Sequence, residues 1–108
     1  MTATTTTVCR LDEIEPGTAR SFEVGRTRVC VVRIGDDVYA INDRCSHEDY
    51  SLSEGEIWEE EREIECWKHG STFSLVTGEP QSLPATQPVR VYEIVRDGDD
   101  LFVELPDQ

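Results

Sequence analysis

Short apolar stretches alternate with polar residues along this chain and are cut by turn formers, a pattern that predicts strands rather than helices. Val8 to Leu11 opens it and stops before a Pro16-Gly17 turn. Ala19 to Val24 follows, with Phe22 and Val24 on one side, and Gly25-Arg26 separates it from Arg28 to Ile34. Gly35-Asp36-Asp37 then leads into Val38 to Ile41, which predicts a hairpin with a three-residue loop. Asn42 to about Gly55 has no strand period. Ile57-Trp58, Glu63 to Cys66 and Thr72 to Val76 read as three brief strands, the last ending at Thr77-Gly78. Ser82 to Pro88, which holds Pro84 and Pro88, predicts an irregular loop. Val89 to Arg96 and Leu101 to Leu105 predict a closing hairpin around Asp97-Gly98-Asp99. Glu59 to Glu65 has helical propensity but only Trp58 and Ile64 to form an apolar stripe, so no helix of three turns is expected. The pattern predicts an all-β fold, a small antiparallel sandwich or partly closed barrel.

Size agrees with one such domain: 108 residues, 37% of them hydrophobic, leave room for a single core of useful size. The longest compact apolar run, Val29 to Val32, is strand-sized and far below the roughly 18–20 residues that cross a bilayer. Met1 to Thr7 is polar and Thr-rich, without the order of a signal peptide, so a cytoplasmic protein with no membrane partner is expected. A formal net charge of −13 argues against nucleic acid and anionic membrane surfaces as partners, since both repel such a chain. The acids concentrate in Glu54 to Glu65, including Glu59-Glu60-Glu61, and in Asp97 to Asp100. They form a solvated face that keeps the chain soluble, or a field that steers a partner with a basic docking surface; both readings stand at this point.

The four cysteines are of two kinds. Cys9 and Cys30 lie in apolar strands and read as buried small side chains. Cys45 and Cys66 each have a histidine close by, in Cys45-Ser46-His47 and Cys66-Trp67-Lys68-His69, with the 18 residues Glu48 to Glu65 between the pairs. Such spacing lets one loop offer two side chains to a metal centre and lets two loops clamp it. Both histidines of the chain fall inside these pairs. Two centres suit the donors. A structural zinc site takes two cysteines and two histidines, but its usual order groups like with like. A binuclear cluster with both thiolates on one iron and both imidazoles on the other fits one of each per loop, and is favoured.

Cys45-x-His47 and Cys66-x2-His69-Gly70, followed by Phe73 and the Pro84 to Pro88 loop, resemble the Rieske [2Fe-2S] ferredoxin family from about Val29 onward. The resemblance implies one Rieske domain over residues 1–108: a base from about 1–41 and 79–108, and a cluster-binding subdomain from about 42–78. It implies one [2Fe-2S] cluster per chain. Cys45 and Cys66 would hold the buried ferric iron, and His47 and His69 the outer iron that changes valence. Trp67, Lys68, Gly70, Ser71, Phe73 and Pro84 would surround it. Histidine ligation leaves the oxidised cluster with a net charge of about 0 and places its potential in the Rieske range of about −150 to +300 mV. Respiratory and photosynthetic relatives tie their loops with a disulfide; here those positions are Tyr50 and Lys68. Phe73 stands where they place a tyrosine, while Ser71 matches their serine, so the lower part of the range is expected, lifted somewhat by Ser71.

The family implies one-electron transfer without substrate chemistry. A Rieske oxygenase needs a second iron held by two further histidines and a carboxylate, and none remains. The favoured reading is a monomeric ferredoxin component of a bacterial oxygenase system, between a flavin-dependent reductase and a non-haem iron oxygenase. A ferredoxin of iron–sulfur cluster assembly is the alternative. A chain resembling the nitrite reductase small subunit is a third.

Overall fold

The alternation in the sequence becomes nine antiparallel strands among the described residues, which in this computed structural model are 4–24, 27–44, 51–66, 70–81 and 88–105. Strands β1 (Thr4–Arg10), β2 (Thr18–Val24), β3 (Thr27–Ile34), β4 (Asp37–Asn42), β8 (Val91–Asp97) and β9 (Asp100–Leu105) form one sheet in the order β1-β9-β8-β4-β3-β2. The other three, β5 (Ile57–Trp58), β6 (Glu63–Glu65) and β7 (Thr72–Ser74), form a small sheet in chain order. The architecture is all-β, as expected. Two short 3-10 turns, Leu11–Glu13 and Leu52–Glu54, are the helical elements among the described residues. None of the described helices is long and apolar enough to cross a membrane.

Strand β3 explains why Val29 to Val32 reads as an unbroken apolar run. Successive side chains of a strand point to opposite faces, and both faces of β3 are covered. Val29 and Val31 pack with Cys9, Leu11, Ile14, Leu101 and Val103, inside the curl of the large sheet. Cys30 and Val32 pack on the other side with Leu52, Ile64, Phe73 and Leu75, which belong to the small-sheet half. Ala40 and Ile41 of β4 divide in the same way between the two cores. One pair of strands therefore serves both halves, and small-sheet residues bury against the back of the large sheet. Phe73 and Ile64 are fully buried there, each contributing on the order of 2–3 kcal/mol by burial.

Most element boundaries fall within two or three residues of expectation. Strand β1 starts earlier than Val8, because the β-branched threonines at its start pair with β9. Strand β7 ends at Ser74, two residues before the expected Val76, because residues 75–77 turn. The β3–β4 loop has two residues, not three: Ile34 pairs with Asp37 around Gly35-Asp36. Gly35, at φ +61, takes the first central position of a tight hairpin, where only glycine is at ease. The β8–β9 hairpin repeats it, with Gly98 at φ +63 and Asp97 opposite Asp100. In both, an arginine two residues before the glycine donates Nε–H to the glycine carbonyl: Arg33 to Gly35 at 2.8 Å and Arg96 to Gly98 at 2.9 Å. Arg96 also reaches the Asp36 carbonyl at 3.2 Å, joining the two tips.

Candidate metal centre

The first predicted ligand loop leaves the large sheet at the end of β4. There the Asn42 side chain shapes the turn, its Oδ1 accepting the Arg44 N–H at 2.9 Å and its Nδ2 donating to the Tyr92 hydroxyl at 3.1 Å. Arg44 and Ser51 then meet in a β-bridge, so the chain departs and returns at one place. Asp43, only 1% exposed, accepts Ser21 Oγ–H and the Ser53 N–H, both at 2.9 Å, and the Ser51 hydroxyl. Ser51 has given its one proton to Asp43, so at 2.8 Å it is Ser53 that donates to Ser51.

The second loop leaves the small sheet at Cys66. The Cys66 N–H donates to the Ser71 carbonyl at 2.7 Å and the Gly70 N–H donates to the Cys66 carbonyl at 2.9 Å. These bonds hold Cys66 against Gly70 and Ser71, with Gly70 in the left-handed region at φ +77. The third predicted loop leaves from the same end of that sheet. The Gln81 N–H bonds Thr72 O at 2.7 Å before it, and the Val89 N–H bonds Gly78 O at 2.8 Å after it. Gly55 brings the exit of the first loop to this end too. A methyl at Gly55 would lie 1.6 Å from the Glu65 carbonyl oxygen, so only a bare Cα fits beside the residue preceding Cys66.

Of the predicted site residues, Cys66, Gly70, Ser71 and Phe73 are placed; Cys45, His47, Trp67, Lys68, His69 and Pro84 lie outside the described residues, as does Tyr50. Cys66 is 1% exposed and shares its core with Leu52, Ile64, Phe73 and Leu75. Ser71 and Phe73 are fully buried. Gly70 is exposed. An apolar floor under a thiolate is costly for a highly charged centre. Two ferric ions and two sulfides held by two thiolates and two neutral imidazoles sum to about zero, so the donor set fits that floor.

The other two cysteines behave as expected. Cys9 and Cys30 are buried and not disulfide-bonded. Burial, with Glu13 adding its charge and Arg20 opposing, pushes the Cys9 thiol up to about 11. Burial first and the Asp43 charge second push Cys30 well above the ordinary thiol range. Two positioning features were not legible in advance. Asp43 reads in the sequence as a turn former, and Gly55 as one glycine in an acidic run; the contacts that matter for each come from residues distant in the chain.

Comparisons with known proteins match this geometry. The family model for the Rieske [2Fe-2S] domain matches residues 4–93. The ferredoxin of carbazole 1,9a-dioxygenase from Nocardioides aromaticivorans IC177 superposes with a TM-score of 0.92 at 42% identity, covering 95% of this chain and 99% of that one. A ferredoxin solved in a complex of reduced oxygenase and oxidised ferredoxin of carbazole 1,9a-dioxygenase gives 0.84 at 38% identity, over 93% of this chain and 92% of its own. The ferredoxin component of biphenyl 2,3-dioxygenase from Rhodococcus jostii RHA1 is 36% identical over 93% of this chain and 92% of that protein. With two sheets sharing one buried strand pair, loops closed at one end of the small sheet and a family match across most of its length, the chain belongs to the Rieske [2Fe-2S] domain family.

Proposed function

We propose that this Rieske electron carrier is the ferredoxin component of a dioxygenase system, taking electrons from a flavin-dependent reductase and delivering them to a terminal non-haem iron oxygenase. The observation that carries the reading is the near end-to-end match to a dioxygenase ferredoxin, 95% of this chain against 99% of that one. A solved complex of such a ferredoxin with its oxygenase supports the acceptor.

Cys45 and Cys66 would hold one iron of the cluster and His47 and His69 the other, from Cys45-Ser46-His47 and Cys66-Trp67-Lys68-His69. When bound, the cluster supplies reversible one-electron chemistry. The chain's own residues do the rest. The bonds from Cys66 N–H to Ser71 O and from Gly70 N–H to Cys66 O fix the Cys66 backbone, and an apolar core that includes Phe73 excludes water from beneath its thiolate. Residues 42–78 form the cluster-binding part and the large sheet the base. Both histidines of the chain are used as ligands, so none is left for a substrate-oxidising iron, and the protein is a carrier rather than an enzyme. It works in the cytoplasm, and its acidic surface meets a basic face on its partners.

The test is reconstitution. The purified chain should contain about two irons and two acid-labile sulfides and no zinc. Mixed with its cognate reductase and oxygenase, it should make NADH-dependent substrate oxidation depend on its concentration. A protein with one zinc and no sulfide defeats the cluster assignment, while a loaded protein that reduces no oxygenase defeats the partner assignment.

A further inference from the structure

Asp43 is a buried acid with more ties than any turn requires. Its carboxylate is bonded from Ser21 on β2, from the Ser51 hydroxyl and from the Ser53 N–H, with Arg28 Nε of β3 at 4.0 Å. Its main chain is tied as well. The Asp43 N–H donates to Arg28 O at 3.0 Å, and its carbonyl accepts the Leu52 N–H at 2.6 Å. Burying a carboxylate costs several kcal/mol before compensation, and an apolar residue of similar volume commonly serves stability as well or better. What this arrangement supplies is geometry. Asp43 lies two residues before Cys45, and Ser51 and Ser53 follow the loop, so one side chain joins the entry of loop 45–50 to its exit and pins both to β2 and β3.

We propose that Asp43 is the positioning residue of the first ligand loop, fixing the separation of its two ends so that Cys45 and His47 are presented in one geometry. This rests on the reading that Cys45, His47, Cys66 and His69 hold the cluster. Asp43→Asn is close to the same shape. Its Oδ1 still accepts the Ser53 N–H, and its amide donates to hydroxyls that turn to receive it. Asp43→Ala leaves the Ser21, Ser51 and Ser53 donors without their acceptor.

The experiment uses the purified holoprotein and follows loss of visible absorbance on adding an iron chelator, beside the electron paramagnetic resonance spectrum of the reduced protein. Asp43→Ala should release iron about tenfold faster or more, the usual scale for losing a residue that orients metal ligands, with broadened g-values. Asp43→Asn should stay close to wild type in both. A purely structural role would lower the unfolding temperature of Asp43→Ala and leave its g-values and its release rate in the cold unchanged, and that result overturns the proposal. If Asp43→Ala does not fold, Ser51→Ala removes the hydroxyl between Asp43 and Ser53. It should still speed release severalfold, and a wild-type rate overturns the proposal. Wild-type protein without iron and sulfide instead refutes the underlying reading, so the two failures are distinguishable.

Discussion

Adding one methyl group at Gly55 tests whether the first and second loops are held together by contact rather than by the cluster alone. In Gly55→Ala the new Cβ would sit 1.6 Å from the Glu65 carbonyl oxygen and 2.8 Å from its carbon, with Leu52 O at 3.2 Å. Ordinary contact begins near 3.4 Å, so the two backbones must part by nearly 2 Å, and backbone has no rotamer with which to yield. The movement strains two bonds, Gly55 N–H to Leu52 O at 3.0 Å and Glu65 N–H to Glu56 O at 2.8 Å. Overpacking costs about 1–3 kcal/mol, and each buried bond lost without replacement about 1–3 kcal/mol more. With one of the two bonds lost, a loss of about 2–6 kcal/mol follows, roughly a 10–25 °C fall in Tm for a domain of this size. The control is Gly35→Ala. There an added Cβ meets nothing within 4 Å, and the cost is the left-handed φ alone, about 1–2 kcal/mol. Urea unfolding of both variants, with the reduced resonance spectrum recorded alongside, separates close approach from backbone conformation. Gly55→Ala unfolding with Gly35→Ala, and with g-values unchanged, would refute the contact argument.

Cys30→Ala should keep two irons per chain by metal analysis and lose about 1–2 kcal/mol in urea unfolding, because it removes a buried sulfur from the core rather than a ligand. Native Cys30 should resist alkylation at pH 8, its thiol being held protonated by burial and by the Asp43 charge; mass mapping of labelled peptides checks this. Arg96→Ala removes the bonds to Gly98 O and Asp36 O, and exposed hairpin ties of this kind should cost about 1 kcal/mol in urea, with iron content unchanged. Glu93 faces Glu104 across β8 and β9, and its hydrogen bond and charge push the Glu93 pKa up from 4.5. A raised carboxyl pKa means the folded state binds the proton more tightly. That contribution to stability is fully present below the unfolded value and is lost as the pH rises through the folded one. Glu104→Gln should therefore unfold at higher urea than wild type at pH 7, with the gap narrowing as the pH falls toward 4. A redox titration should give a midpoint in the lower part of the range of about −150 to +300 mV, and one well above about +150 mV would contradict the assignment of Phe73 and Ser71.

The strands were legible because each has a local signature: alternation in β2 and β9, turn residues at Gly35 and Gly98. The pairing order was not, since β1 against β9 joins the first described strand to the last, and nothing local records it. The family was legible for the opposite reason. The double Cys-His motif that points to it is confined to two segments of a few residues each, so spacing alone carries it. What held those loops was not legible. Asp43 meets Ser21, 22 residues away, and Gly55 meets the carbonyl of Glu65. A sequence shows that an acid and a glycine are present, but what makes them matter is the backbone brought against them by the fold.

The fold solves a problem set by its own small sheet. A sheet of three strands, two or three residues long in each strand, is too small to be stable alone, yet Cys66 at its end is held in place and buried. The solution is to lend it the back of β3 and β4. Because both faces of those strands are covered, Ile64, Phe73 and Leu75 bury against Cys30, Val32 and Ile41, and the small sheet takes its rigidity from the large one. The loops are then secured at their bases, by Asp43 and the Arg44–Ser51 bridge for the first and by the Cys66–Ser71 and Gly70–Cys66 bonds for the second. Apolar burial supplies the stability of this arrangement and directional polar contacts supply its registration. That division of labour explains why a chain with a net charge of −13 keeps an apolar floor beneath Cys66 while leaving Glu59, Glu60 and Glu61 in solvent.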